Sequence, residues 1–158
     1  MIKISFEATH DPACLTVTEL MPYPLARVWL AQTEGLYVQQ WWAPTDYENV
    51  EVDITTAEGG AWRILQRDPQ GNQFSFYGKV ETVEPERQLV ISIVSELFPE
   101  STIRLTQDFA ARDAGTVVVS TYEFESDEAL GTYMALGGTE RLREASSRLD
   151  ALLAQMGQ

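Results

Sequence analysis

From Tyr47 to about residue 125 the chain keeps a period of two, and from Asp127 to its end it changes to a helical period. Alternation of this kind places every second side chain on one face, so each run reads as a half-buried strand. Strands are predicted near 48–55, 61–67, 73–84, 88–96, 101–109 and 115–125. Between them lie Glu58-Gly59-Gly60, Asp68-Pro69-Gln70-Gly71-Asn72, Glu84-Pro85-Glu86-Arg87, Phe98-Pro99-Glu100 and Arg112-Asp113-Ala114-Gly115, whose residue types favour turns. A parallel pair needs a crossover of a dozen or more residues, so links this short join antiparallel neighbours in a meander.

Two further segments complete the order. Leu15–Leu20 alternates Leu15, Val17 and Glu19 against Thr16, Thr18 and Leu20 and reads as a strand. Met21-Pro22-Tyr23-Pro24 ends it, and Leu25, Val28, Trp29 and Gln32 follow at helical spacing, with Pro24 where a helix start tolerates the missing N–H. A short second helix over Leu36–Trp41 stops at Pro44. Met1 to His10 mixes Lys3, Glu7 and His10 with isolated apolar residues and reads as irregular. At the other end, Leu130, Tyr133 or Met134, Leu142, Ala145, Leu149, Leu152, Leu153 and Met156 form one stripe on a helix over 127–156. Ser126 is placed to cap it, with Asp127 and Glu128 at the positive end of its dipole. Unbroken it would be about 45 Å long, but Gly137-Gly138 predicts a bend or a close packing contact. The fold class is α+β: a curved antiparallel sheet of six or seven strands, wrapped around a long C-terminal helix, with two short helices after the first strand.

Several motifs together resemble the SRPBCC superfamily. They are Pro24–Trp29 (PLARVW), Leu36 with Trp41-Trp42-Ala43-Pro44, Gly59-Gly60-Ala61-Trp62-Arg63, Gly78-Lys79-Val80 followed by Glu84-Pro85-Glu86-Arg87-Gln88-Leu89, and Leu149-Asp150-Ala151-Leu152-Leu153. Within that superfamily they are similar to the branch named for the C-terminal domain of the activator of Hsp90 ATPase, over about Leu15 to Leu153. The resemblance implies the helix-grip fold of Bet v1-like and START-like proteins, in which the last helix grips the sheet around a hydrophobic cavity. Two departures fall on that helix: Arg141-Leu142 stands where the family often carries Gly-Trp, and Ser146 replaces a Leu.

Charge narrows the partners. The chain has 158 residues, with 11 Lys and Arg against 24 Asp and Glu, a formal net charge of −13. Phosphate backbones and anionic membrane surfaces are bound by clustered Lys and Arg, which no segment here supplies, so neither nucleic acid nor a membrane surface is an expected partner. No run approaches the roughly 18 apolar residues of a spanning helix. With Cys14 as the single cysteine and no charged and then apolar leader at the start, the expectation is a cytoplasmic protein. Without linker or repeat, residues 1–158 read as one domain, as a monomer or a homodimer.

Catalytic chemistry is not legible. His10 stands in the irregular start with no positioned partner and reads as a surface side chain. Nothing around Cys14 lowers its pKa. No nucleophile elbow, P-loop or dinucleotide fingerprint is present, and one His with one Cys is a poor basis for a metal centre. No cofactor is expected. Among the acids, Glu34, Asp53, Glu123 and Glu140 lie near apolar stripes, and one that pointed into a dry cavity would have its pKa raised.

The aromatic residues say more. A sheet and a helix that diverge need a lining between them, and aromatic rings with a few polar tips line small-molecule pockets. Trp62, Phe76, Tyr122, Tyr133, Met134 and Gly137 are the expected lining. Phe74, Phe76 and Gly78 share one face, so Phe76 and Tyr77 cannot both point inward. Arg141 either bends over the mouth to meet an anionic group or pairs with a surface acid such as Glu140 or Glu144.

Three functions follow, in this order: binding of a hydrophobic or aromatic small molecule between sheet and last helix; interaction with an Hsp90-type chaperone, as the resemblance implies; and a cavity enzyme such as a cyclase or hydrolase.

Overall fold

The computed structural model describes residues 1–157. Its strands are β1 (Lys3–Thr9), β2 (Cys14–Met21), β3 (Glu48–Ile54), β4 (Ala61–Arg67), β5 (Gln73–Glu84), β6 (Gln88–Ser95), β7 (Thr102–Arg112) and β8 (Gly115–Glu123). They form one antiparallel sheet in the order β1-β2-β8-β7-β6-β5-β4-β3. Helices α1 (Leu25–Thr33) and α2 (Gly35–Trp41) lie between β2 and β3, and α3 (Asp127–Ala135) and α4 (Gly138–Met156) follow β8. This is the helix-grip arrangement.

Two expectations need correction. The start of the chain is a strand: Ile4 and Phe6 of β1 are half-buried while Lys3, Ser5 and Glu7 face water, and β1 pairs with β2 from Cys14 to Leu20. It raises the count to eight strands. The final helix is two helices. Ser126 caps α3, its Oγ accepting from the Ala129 N–H at 3.0 Å, but Gly137 takes a left-handed φ of 84° and stands as the N-cap of a separate α4. A side chain with a Cβ would be strained there. Gly138 is a packing contact, since a Cβ on it would collide with the Tyr133 ring.

The inward face of the sheet follows from alternation. β2 contributes Leu15, Val17, Glu19 and Met21, β8 contributes Thr116, Val118, Ser120 and Tyr122, and β7 contributes Leu105, Gln107 and Phe109. The second half of α4 is fixed to this face. Leu149, Leu152 and Leu153 are buried, Arg148 Nη1 donates to the carbonyls of Ala43, Pro44 and Tyr47 at 3.0–3.2 Å, and the Tyr23 hydroxyl donates to Asp150 Oδ1 at 2.6 Å. These contacts seat one end of the gripping helix. The first half of α4, with α3, spans a gap.

Candidate functional site

The gap is a cavity of about 770 Å³ between the sheet and α3–α4. Two packed groups of buried side chains flank it, one on the second half of α4 and one beneath Leu130 of α3, and Tyr122 touches both. Exposed Leu97 and Phe98 after β6 and Leu136 at the α3–α4 junction form part of its rim.

One half of the wall is aromatic. Trp42, at the end of α2, meets Trp62 of β4 and Phe76 of β5 edge to face, with ring centroids 5.1 and 5.0 Å apart, and Phe74 stands edge-on to Phe76 at 5.6 Å. Such geometry sets a positive ring edge on a negative face. The Trp42 backbone is fixed by amides: Gln66 and Asn49 both donate to its carbonyl, at 3.2 and 3.1 Å, and Gln66 also donates to Asn49 Oδ1 at 3.0 Å.

The other half carries polar atoms on β2, β8, β7 and α1. Gln107 Nε2 donates to Ser120 Oγ at 3.2 Å and to Gln32 Oε1 at 3.3 Å. Glu19, 8% exposed, accepts from Ser146 Oγ of α4 at 2.7 Å through Oε2. Among the described residues no side-chain nitrogen or oxygen is both sealed from solvent and unpartnered. Glu19 Oε1, Tyr122 Oη and Tyr133 Oη have no protein partner and belong to residues of the cavity wall, so they open onto the cavity. Burial pushes the Glu19 carboxyl above its ordinary value, the Ser146 bond opposing it. Burial likewise holds the Tyr122 hydroxyl well above its ordinary value, with Tyr133 and Glu19 adding to the shift, and pushes Tyr133 up to about 12 against the opposing charge of Arg141. The wall therefore offers neutral donors at neutral pH, and one buried carboxyl that resists ionising alone.

Of the residues expected to line a cavity, Trp62, Phe76, Tyr122, Tyr133 and Arg141 do so. Met134 and Gly137 do not. At 36% exposure Met134 lies on the outer side of α3, because Tyr133, one residue earlier, takes the inward position. Gly137 serves the helix junction instead. Tyr77 points outward, opposite Phe76. Arg141 pairs with neither Glu140 nor Glu144: its guanidinium donates to the Leu136 carbonyl and lies over the Tyr133 ring.

Glu34, Asp53, Glu123 and Glu140 are absent from the cavity wall; the acids on it are Glu19, which is buried, and Glu125 and Glu128, which are exposed. The signal for Glu19 was its place beside Leu15, Val17 and Met21 on one strand face. His10 is exposed and bonded to Asp127 at 3.0 Å, and burial, with Glu123 nearby, raises the Cys14 thiol, which keeps it protonated. Among the described residues no His, Cys, Asp and Glu side chains gather as a metal site would need, and no helix is long and apolar enough to cross a membrane.

The architecture recurs in solved structures. A crystal structure of a Rhodobacter sphaeroides protein superposes with a TM-score of 0.88 at 20% identity, covering 98% of this chain and 99% of that one. One from Mycobacterium smegmatis gives 0.85 at 22% identity over 96% and 97%. A solution NMR structure of an Arthrobacter aurescens protein gives 0.87 at 18% identity over 96% and 91%. At these identities the likeness is one of fold. No curated protein matches the chain. The family model for "Activator of Hsp90 ATPase homolog 1-like protein" matches residues 22–154, which take in α1, the aromatic wall and the gripping helix, and the chain belongs to that family, a branch of the SRPBCC superfamily.

Proposed function

We propose that the protein binds an aromatic or otherwise apolar small molecule in the cavity between the sheet and α3–α4. The observation that carries this is an interior of about 770 Å³ with rings on one side and unpartnered polar atoms on the other. A core built only for stability would close such a volume, since unfilled space forfeits packing energy. Apolar walls with a few placed polar groups are the usual form of a small-molecule pocket. The test is uptake of phenylnaphthylamine, whose fluorescence rises in apolar surroundings, with native mass spectrometry of the purified protein to detect a retained molecule. The folded protein is expected to take up the probe, and Tyr133→Asp to abolish uptake; a folded protein that takes up none ends the reading.

A cavity enzyme is the second reading, favoured by the opening of Glu19, Tyr122 and Tyr133 onto one space. A carboxyl whose pKa is raised by burial in such a place can give and take a proton. Its test is turnover of a bound ligand that Glu19→Gln removes without removing binding. The chaperone reading draws on the family's name. Failure to bind an Hsp90-type ATPase, or to change its ATP turnover, counts against it.

A further inference from the structure

Glu19 is a carboxyl without a counter-ion. Among the described residues no Lys, Arg or His forms an ion pair with it, its Oε2 is taken by Ser146, and its Oε1 opens onto the cavity. The groups near it are uncharged at neutral pH: Tyr122 from β8 and Ser146 from α4, with Tyr133 from α3 next to Tyr122. Arg141 is the one cationic side chain on the wall, and it is held by Leu136 and Tyr133. For neutral hydrogen bonding the wall already has Gln32, Gln66 and Gln107. What a carboxyl adds is the capacity to carry charge, and burial makes that charge costly until a cation meets it.

We propose that the cavity selects an aromatic ligand bearing an alkylammonium group, with the ammonium on Glu19 Oε1 and the ring on the apolar wall. The proposal rests on the cavity-binding reading and names its ligand class. From β2 to β6 the sheet order gives three strand spacings, about 14 Å along the sheet. The registers set Val17, Ser120, Gln107 and Leu89 in one row across these strands, one side-chain repeat along from Glu19, so a bicyclic ring on an ethylamine arm reaches from Glu19 across Ser120 and Gln107 to Leu89; larger ring systems extend toward Leu105 and Ile91. Acids on the wall disfavour an anion, since Glu125 and Glu128 join Glu19 there. Binding is linked to a proton: burial favours the protonated carboxyl and the ammonium favours the carboxylate, so whatever proton Glu19 holds at a given pH passes to solvent as the ammonium arrives, leaving a carboxylate–ammonium pair.

Three probes of one skeleton test this by calorimetry: naphthylethylamine, naphthylethanol and naphthylacetate. At about pH 8 the amine is expected to bind about tenfold more tightly than the alcohol, the value of one charge-assisted bond, and the acetate most weakly. The margin should narrow toward about pH 5, where Glu19 holds its proton more firmly. Titration in two buffers of different ionisation enthalpy, repeated from about pH 5 to about pH 8, should show proton release with the amine at the pH values where free Glu19 holds its proton, and none with the alcohol. Glu19→Gln should erase the margin and leave the alcohol within about twofold of its original affinity. Equal binding of amine and alcohol by the wild type, or a margin that survives in Glu19→Gln, overturns the proposal while leaving the cavity reading intact. An alcohol preference that grows as pH falls also overturns it, making Glu19 a proton donor to neutral ligands. Binding of none of the three removes the cavity reading and the anchor with it. The wild-type measurements decide the matter even if the variant folds poorly.

Discussion

The two halves of the cavity wall differ in what their side chains are committed to. On β4 and β5, Trp62 and Phe76 are committed to other rings, above all Trp42, and the amides of Gln66 and Asn49 spend their hydrogen bonds holding the Trp42 carbonyl. On β2 and β8, Glu19, Ser120 and Tyr122 touch their neighbours through one bond or none and leave polar atoms facing the space. The difference teaches a division of labour: the ring half maintains the shape of the cavity, and the polar half reads what enters it. Stability should therefore depend on the first and selectivity on the second.

The largest expected effect is on the ring half. Trp62→Ala should lose about 3–5 kcal/mol in urea unfolding, the usual cost of removing a large buried ring. Similar losses from any single change on the polar half would break the comparison. On that half, Gln107→Met should cost only about 1 kcal/mol, because Ser120 and Gln32 lose one partner but stand where water can replace it.

The comparison sharpens with pH. Burial raises the folded pKa of Glu19 above the ordinary 4.5, so the folded state holds a proton that the unfolded state releases. Glu19 thus contributes stability fully below about pH 4.5, and that contribution is lost as pH rises through the raised folded value. Glu19→Gln carries no such titration, so its Tm relative to wild type should climb as pH rises from about 4.5 through the raised folded value and level off above it. A difference that stays flat across this window would show that Glu19 is as well solvated as a surface acid. The smallest effect should come from Met134→Glu, within about 0.5 kcal/mol of wild type and without loss of probe uptake, since Met134 faces outward. Loss of uptake there would move the wall onto the outer side of α3.

Most of the fold was legible because the inward face of each strand can be counted from its neighbours. Phe74, Phe76 and Gly78 declared one face, and Leu15, Val17 and Glu19 another. β1 escaped because Lys3, Ser5 and Glu7 alternate with only two sizeable apolar residues, Ile4 and Phe6, and the pattern gains meaning only when β2 is beside it. On the helix, spacing left Tyr133 and Met134 as alternatives, since the two are adjacent at the edge of one stripe. Packing decided between them: Tyr133 turns inward against Phe124 and Gly138, and Met134 is left outside. Glu19 was counted on the correct face, yet what makes it distinctive is contributed by Ser146, 127 residues away. No local pattern joins two positions so far apart.

That separation has an outcome for ancestry. A serine on the gripping helix and a glutamate on the second strand answer one another, and neither is at ease without its counterpart: Ser146 alone is a hydroxyl facing an apolar wall, and Glu19 alone a carboxyl with no donor. Lineages should thus inherit or lose the pair as one two-letter word. Relatives with Leu at the position of Ser146 should carry an apolar residue at that of Glu19, and where the two letters travel together the same class of ligand should travel with them.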